Sequence, residues 1–190
     1  MSEFAITNIL QNCQDPYTRG FQVISHVEHE ILGGDAYYVE GNTTMSDTQE
    51  FLAKLTTPDT DKEVHLMWHI ETNGVLKAYF WEDAVGGMTG GVSQTPKNRN
   101  RTSTQGSSAI FTGGLASSST AVGTLLSNWA VGGSVFKGSF GGSDNMVNEL
   151  VLKPNTTYLR KLVSLSTGQV VSFRANWHEC APRKGLRVAD

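Results

Sequence analysis

Charge is scarce in this 190-residue chain. Asp, Glu, Lys and Arg make up 17 % of it, against roughly 25 % in ordinary soluble domains. Apolar residues are also few, at 38 %, where about 45–50 % is usual. Two cysteines, Cys13 and Cys180, lie near opposite ends. One pair makes no disulfide framework, and a cytosolic product would keep both thiols reduced. No apolar run approaches the ~18 residues of a membrane helix. The opening Met1-Ser2-Glu3-Phe4 has neither the basic start nor the apolar core of a secretory signal. The expectation is a chain made in the cytoplasm and kept there until released. A net charge of -3 and a pI near 5.9 give no general attraction for nucleic acid or an anionic membrane.

Recognisable chemistry is missing as well. Gly-x-Ser-x-Gly does not occur, so there is no nucleophile elbow. The stretches Gly86–Gly91 and Gly138–Gly142 lack the Lys-Ser/Thr of a phosphate-binding loop, and read as turns. His65 and His69 would share a metal on a helix, but on a strand four residues span ~13 Å, too far for one ion. His26 and His29 in His-Val-Glu-His-Glu have the wrong spacing for a metalloprotease helix. His178-Glu179 reads as a plain strand end. Carboxylate pairs such as Glu28/Glu30 and Asp59/Asp61 lie in polar stretches. The expectation is no enzyme, no catalytic residue, no metal site and no cofactor.

Glycine, serine and threonine fill the space that charge leaves. Thirteen of the 20 glycines fall between Gly86 and Ser143, and no Asp or Glu occurs from Ala84 to Ser143. That composition suits a linker. Yet Ile110-Phe111, Leu125-Leu126, Trp129 and Val135-Phe136 are too apolar for a free one. Long ordered loops joining short strands, held against neighbours in an assembly, fit better.

Period-2 patterning marks the strands. Val64, Leu66, Trp68 and Ile70 alternate with His65, Met67, His69 and Glu71, and Asn73-Gly74 follows. That dipeptide predicts a hairpin over Val64–Glu82, with Trp68 opposite Tyr79 and Leu66 opposite Trp81. Val147–Lys153 stops at Pro154-Asn155. Tyr158–Leu165 follows, then a Thr167-Gly168 turn, with Val170–Trp177 returning. Further strands are expected at Phe21–His26, Ala36–Glu40, Ala109–Thr112 and Val135–Phe140. A short helix is expected at Asp47–Leu55, capped by Asp47. The sum is an all-β sandwich or jelly roll with long Gly/Ser/Thr-rich loops. It would span residues 21–180, after an N-terminal arm (1–20) and before a C-terminal tail (181–190).

The concentrated basic patch is Lys97-Asn98-Arg99-Asn100-Arg101, in the acid-free region; Arg183, Lys184 and Arg187 form a second in the tail. No aromatic lies close to the first for base stacking, so nucleic acid is not an expected partner. Arginines in such a loop suit a protein interface.

Several segments together resemble a group of small tailed-bacteriophage virion proteins. They are the loop Asn98-Arg99-Asn100-Arg101-Thr102-Ser103, the pair Glu149-Leu150-Val151-Leu152-Lys153-Pro154-Asn155-Thr156-Thr157-Tyr158-Leu159-Arg160, and the closing Trp177-His178-Glu179. The likeness covers roughly the last two-thirds of the chain. It implies a jelly-roll capsid decoration, or cement, protein of the virion surface, binding the major capsid protein and itself as a homotrimer. It places Lys97, Arg99 and Arg101 at a subunit boundary, with Glu149 and Lys153 on the strand facing them. The sequence departs from the pattern at His178, where related chains tend to carry tyrosine. A receptor- or carbohydrate-binding jelly roll of a fibre or tail is the alternative, with Trp129 and Trp177 available for sugar stacking.

Overall fold

The computed structural model describes residues 26–85, 91–116, 122–132, 140–143 and 149–181. Among them are one helix, α1 (His26–Gly33), and twelve strands. These are β1 (Ala36–Met45), β2 (Glu50–Thr56), β3 (Glu63–Thr72), β4 (Leu76–Val85), β5 (Val92–Gln94), β6 (Lys97–Asn98), β7 (Ile110–Ala116), β8 (Val122–Val131), β9 (Phe140–Ser143), β10 (Leu150–Leu152), β11 (Thr157–Ser164) and β12 (Gln169–Cys180). They form two antiparallel sheets, so the all-β sandwich expected from the alternating patterns is the fold. The first sheet runs β10-β3-β12-β1-β6, with β9 also paired to β3. The second runs β5-β7-β2-β11-β4-β8. The expected N-terminal arm, most of the Phe21–His26 and Val135–Phe140 candidates, and the tail from Pro182 lie outside the described residues.

From β1 to β4, and again from β10 to β12, successive strands do not pair with one another; they change sheets. β1, β3, β10 and β12 belong to the first sheet, and β2, β4 and β11 to the second. This corrects the expected hairpin at Val64–Glu82. Trp68 pairs across the sheet with Ala175, and Leu66 with Trp177 and Leu150. Tyr79 pairs with Lys161 and Asn128. The reason lies at Asn73-Gly74, where neither residue takes the positive φ that a two-residue hairpin turn requires. Instead the Asn73 Oδ1 accepts the Val170 backbone N–H at 2.8 Å, and the Asn73 N–H donates to the Val170 carbonyl at 3.3 Å. The asparagine is captured by the start of β12, and the chain is thrown over the edge onto the second sheet. The Thr167-Gly168 turn, with Gly168 at φ 69°, likewise carries the chain from β11 to the other sheet at β12.

The helix expected at Asp47–Leu55 is also corrected: Glu50–Thr56 is strand β2. Phe51, Leu52, Ala53 and Leu55 are all buried there, so the short apolar run is covered on both faces and its apparent helical spacing is fortuitous. The helix is α1 instead. It ends in a Schellman motif, with the Gly34 N–H donating to the Ile31 carbonyl at 3.1 Å and the Asp35 N–H to the Glu30 carbonyl at 3.0 Å. Gly34, at φ 85°, supplies the left-handed residue that this cap needs.

Between the sheets lies an aromatic core. Phe111 of β7 stands parallel to Phe173 and Trp177 of β12, at 6.5 and 6.3 Å between ring centres. Phe51 of β2 meets Phe173 at 4.7 Å. Gly41 of β1 makes room for that phenylalanine, since a Cβ at Gly41 would come within 3.0 Å of the ring. A buried arginine joins them: the Arg160 guanidinium stacks over Phe80 at 4.6 Å and Trp68 at 5.4 Å. The expected inward face of β3 is the real one, with Val64, Leu66, Trp68 and Ile70 all buried.

Trp68→Ala removes one of the largest of these side chains. It is expected to lower the unfolding free energy by about 3–5 kcal/mol, as large-to-small core changes do. Equilibrium urea denaturation followed by circular dichroism checks this; a loss below about 1 kcal/mol would place Trp68 outside the core.

Candidate interface loop and its anchors

Two of the three resemblance motifs, Asn98–Ser103 and the closing Trp177-His178-Glu179, meet at the loop from Lys97 to Ala109, along one flank of the sandwich. Here β6 adds to the edge of β1 in the first sheet, while β5 and β7 add to the edge of β2 in the second. The connection therefore clips both sheets together. Asn98 is its inner anchor. Nearly buried, it donates through Nδ2 to the Gly34 carbonyl at 2.7 Å and the Gln105 carbonyl at 3.0 Å, and accepts the Asn100 N–H on Oδ1 at 2.8 Å. Asn100 donates to the Leu32 carbonyl at 3.1 Å and accepts from the Thr102 hydroxyl at 2.7 Å. Two asparagines thus serve carbonyls at the C-terminal end of α1, groups that a helix leaves without partners.

Glu179 is the second anchor. Its carboxylate is 1 % exposed and accepts from the Ser107 hydroxyl at 2.6 Å, the Ser108 N–H at 3.0 Å, the Ala109 N–H at 3.2 Å and the Trp177 indole at 3.3 Å. Strand alternation puts Trp177 and Glu179 on the same inner face of β12. The closing aromatic-x-Glu motif is therefore a device that fastens the far end of the loop. Tyr37 ties the middle, donating its hydroxyl to the Gly106 carbonyl at 3.0 Å. Burial, then the nearby Glu179 and Asp35 carboxylates, push the Tyr37 phenol up to about 12.

Held this way, the loop turns its cations outward. Arg101 is exposed, reaching, among the described residues, only the Asn98 carbonyl at 3.5 Å. Arg99 is half-buried; desolvation, and secondarily the Arg174 charge, lower its pKa. Lys97 lies 3.9 Å from Glu40 and over the Tyr38 ring.

The expected partners of these cations lie elsewhere within the chain. Glu149 and Lys153 flank β10, at the opposite edge of the first sheet from β6. Four strand intervals separate the two edges, roughly 19 Å. Lys153 donates to Glu82 at 2.7 Å, and its ammonium holds the Glu82 carboxyl below the usual carboxylate range. Glu149 approaches two imidazoles, His65 at 3.3 Å and His178 at 3.2 Å. His69 pairs with Glu71 at 2.8 Å, so His65 and His69 share nothing, as their spacing on a strand implied. What the sequence hid is the meeting of His65 with His178. They face each other in the β3–β12 register, a relation that no local pattern records.

The opposite flank exposes Leu125 on β8, and Leu150 and Val151 on β10, at 49 %, 39 % and 59 %. The tryptophans suggested for sugar stacking are differently placed. Trp177 is buried, and Trp129 packs against the core near Arg160. The chain was compared with family models, with curated proteins and with solved structures, and nothing matched.

Glu179→Ala would leave the Ser108 N–H without its acceptor and the Ala109 N–H with only the Ser107 hydroxyl oxygen at 3.1 Å. A stability loss of about 3 kcal/mol is expected, in line with the loss of charged hydrogen bonds. Trypsin should then cut faster at Arg99 and Arg101, as mass spectrometry would detect. Unchanged cleavage and stability would mean that Glu179 is not an anchor.

Tyr37 and Tyr158 should ionise late, both near 12. A pKa raised above its unfolded value of 10.0 favours the neutral phenol in the fold. That stability is complete below the unfolded value and is lost as pH rises from there through the folded one. Spectrophotometric titration should show two tyrosines lagging the rest; a single transition near the ordinary value would contradict it.

Proposed function

We propose that this chain is a capsid decoration, or cement, protein of a tailed bacteriophage. In this reading it binds the outer face of the head, bridges neighbouring major capsid subunits, and works as a homotrimer. The strand order supports the jelly-roll form of the sandwich: β1-β12-β3-β10 faces β2-β11-β4-β8, the interleaving of two Greek keys.

The observation that carries the proposal is the use of the motif residues. Asn98, Asn100 and Glu179 spend their hydrogen bonds fixing the backbone of one loop, and that loop presents Arg101 to the outside. A rigid loop with a free guanidinium suits docking, because little ordering remains to be done on binding. The two flanks are also unlike. One carries the basic loop beside the β5 edge with exposed Val92 and Ile110; the other lacks that loop and carries the β8 and β10 edges with exposed Leu125, Leu150 and Val151. Unlike flanks favour head-to-tail contact, which closes into a ring such as a trimer. Since Glu149 is largely engaged by histidines, the edge-strand carbonyls beside it are the better acceptors for Arg99 and Arg101.

Carbohydrate binding is supported by one observation, the stacked Tyr79 and Trp81 on the outer side of β4, 5.3 Å apart and partly exposed.

Arg101→Ala should leave the sandwich folded, since its side chain makes, among the described residues, a single long hydrogen bond. It should weaken trimer formation and head attachment at least tenfold. Analytical sedimentation of the free protein, with occupancy on heads lacking it, measures both. A variant that assembles and binds heads with unchanged affinity would overturn the interface; glycan capture lost on Trp81→Ala would favour the alternative.

A further inference from the structure

The outer face of the first sheet holds a cluster that the loop reading does not use. His65 on β3 and His178 on β12 are direct cross-strand partners, their rings stacked 4.6 Å apart. Cys180 lies two residues beyond His178, hence on the same outward face. One ligand atom from each of His65, His178 and Cys180 lies within 4.8 Å of the others, and all three residues are buried. Glu149, just before β10, closes the group. Its Oε1 is 3.3 Å from His65 Nδ1 and 3.2 Å from His178 Nε2.

We propose that His65, His178, Cys180 and Glu149 form a structural site for a zinc-like divalent cation. Ligand atoms about 2.0–2.1 Å from a tetrahedral ion lie about 3.3–3.4 Å from one another. The two Glu149–imidazole separations match that edge length; on binding, the Cys180 sulfur, within 4.8 Å of the nitrogens, would close on the ion and the stacked rings would turn their nitrogens onto it. Two imidazoles, a thiol and a carboxylate make up a borderline-soft donor set, which suits zinc and disfavours magnesium or calcium. A further carboxylate stands near the far side of the His65 ring, with Glu63 Oε2 at 3.5 Å from Nε2, within reach of that nitrogen after a small rotation. A carboxylate on the far nitrogen of a ligating imidazole is the usual way of fixing ring and tautomer. Four protein ligands fill a tetrahedral shell, so the site would be structural and would hold no open position for a substrate. Its effect would be to tie β10, β3 and β12 together at one end of the sheet. Glu149 keeps partial exposure, 23 % of its side chain, which gives an ion access from solvent.

The experiment uses the full chain carrying Cys13→Ala, so that Cys180 is its one thiol, stripped with a chelator and titrated with Zn²⁺ or Co²⁺. One equivalent is expected to bind and raise the melting midpoint. The cobalt form should show intense tetrahedral bands and a thiolate charge-transfer band. Cys180→Ser should abolish the charge-transfer band, and His178→Ala should weaken uptake at least tenfold. Zinc should also protect Cys180 from alkylation in the unsubstituted site, a readout that survives if the site variants fail to fold. No uptake, or a pale octahedral cobalt spectrum with Cys180 alkylated equally with and without zinc, would overturn the site. Neither result bears on head attachment.

Discussion

A carboxylate buried among hydrogen-bond donors sets much of this structure. Glu179 ends the longest strand, and it is surrounded by the Ser107 hydroxyl, two backbone N–H groups and the Trp177 indole. A charge taken out of water is tolerated only when its hydrogen bonds are replaced. Three of those four donors come from a loop 70–72 residues earlier in the chain, so the loop cannot move away without stranding the charge. The same segment then supplies β7, whose Phe111 stacks in the core against Phe173 and Trp177. Loop position, edge strand and aromatic stack are therefore coupled.

Asn98 does the equivalent work at the other end of the loop, by serving the carbonyl that follows α1. The helix C-terminus leaves acceptors open, and asparagine amides are short, two-proton donors that fit them. Composition explains why this segment needs such anchors. From Lys97 to Ala109 the segment has a single apolar residue and no acidic one, so it gains little from burial and has no ion pairs of its own to draw on. Order comes from hydrogen bonds to the sandwich.

The two sheets are joined by a different logic. Nearly every long strand is followed by one in the opposite sheet, so each turn is a corner and each strand pair is non-local. Gly132 and Gly74 meet at one such corner, where a Cβ on Gly132, at φ 88°, would collide with the Gly74 carbonyl. Arg160 fits the same picture. It stands on the inward face of β11, yet its guanidinium is accepted because Trp68, Phe80 and Trp129 present ring faces from β3, β4 and β8.

The sequence by itself determined the class of fold, the place of several strands and the inward face of β3. Alternation is a local property, and β3, β11 and β12 were legible from it because buried side chains recur every second residue. It also marked Asn98, Arg99 and Arg101 as belonging to one loop. Tertiary structure decided which strands pair, and there the local signals misled. Asn73-Gly74 has the composition of a hairpin turn, but capture of its side chain by Val170 outweighs the turn preference. The apolar run at Glu50–Thr56 fits a helix until the fold buries residues on both of its faces as a strand. Only the fold could bring His65, Glu149, His178 and Cys180 together, because cross-strand register is set by packing over the whole sandwich and leaves no mark in residue spacing.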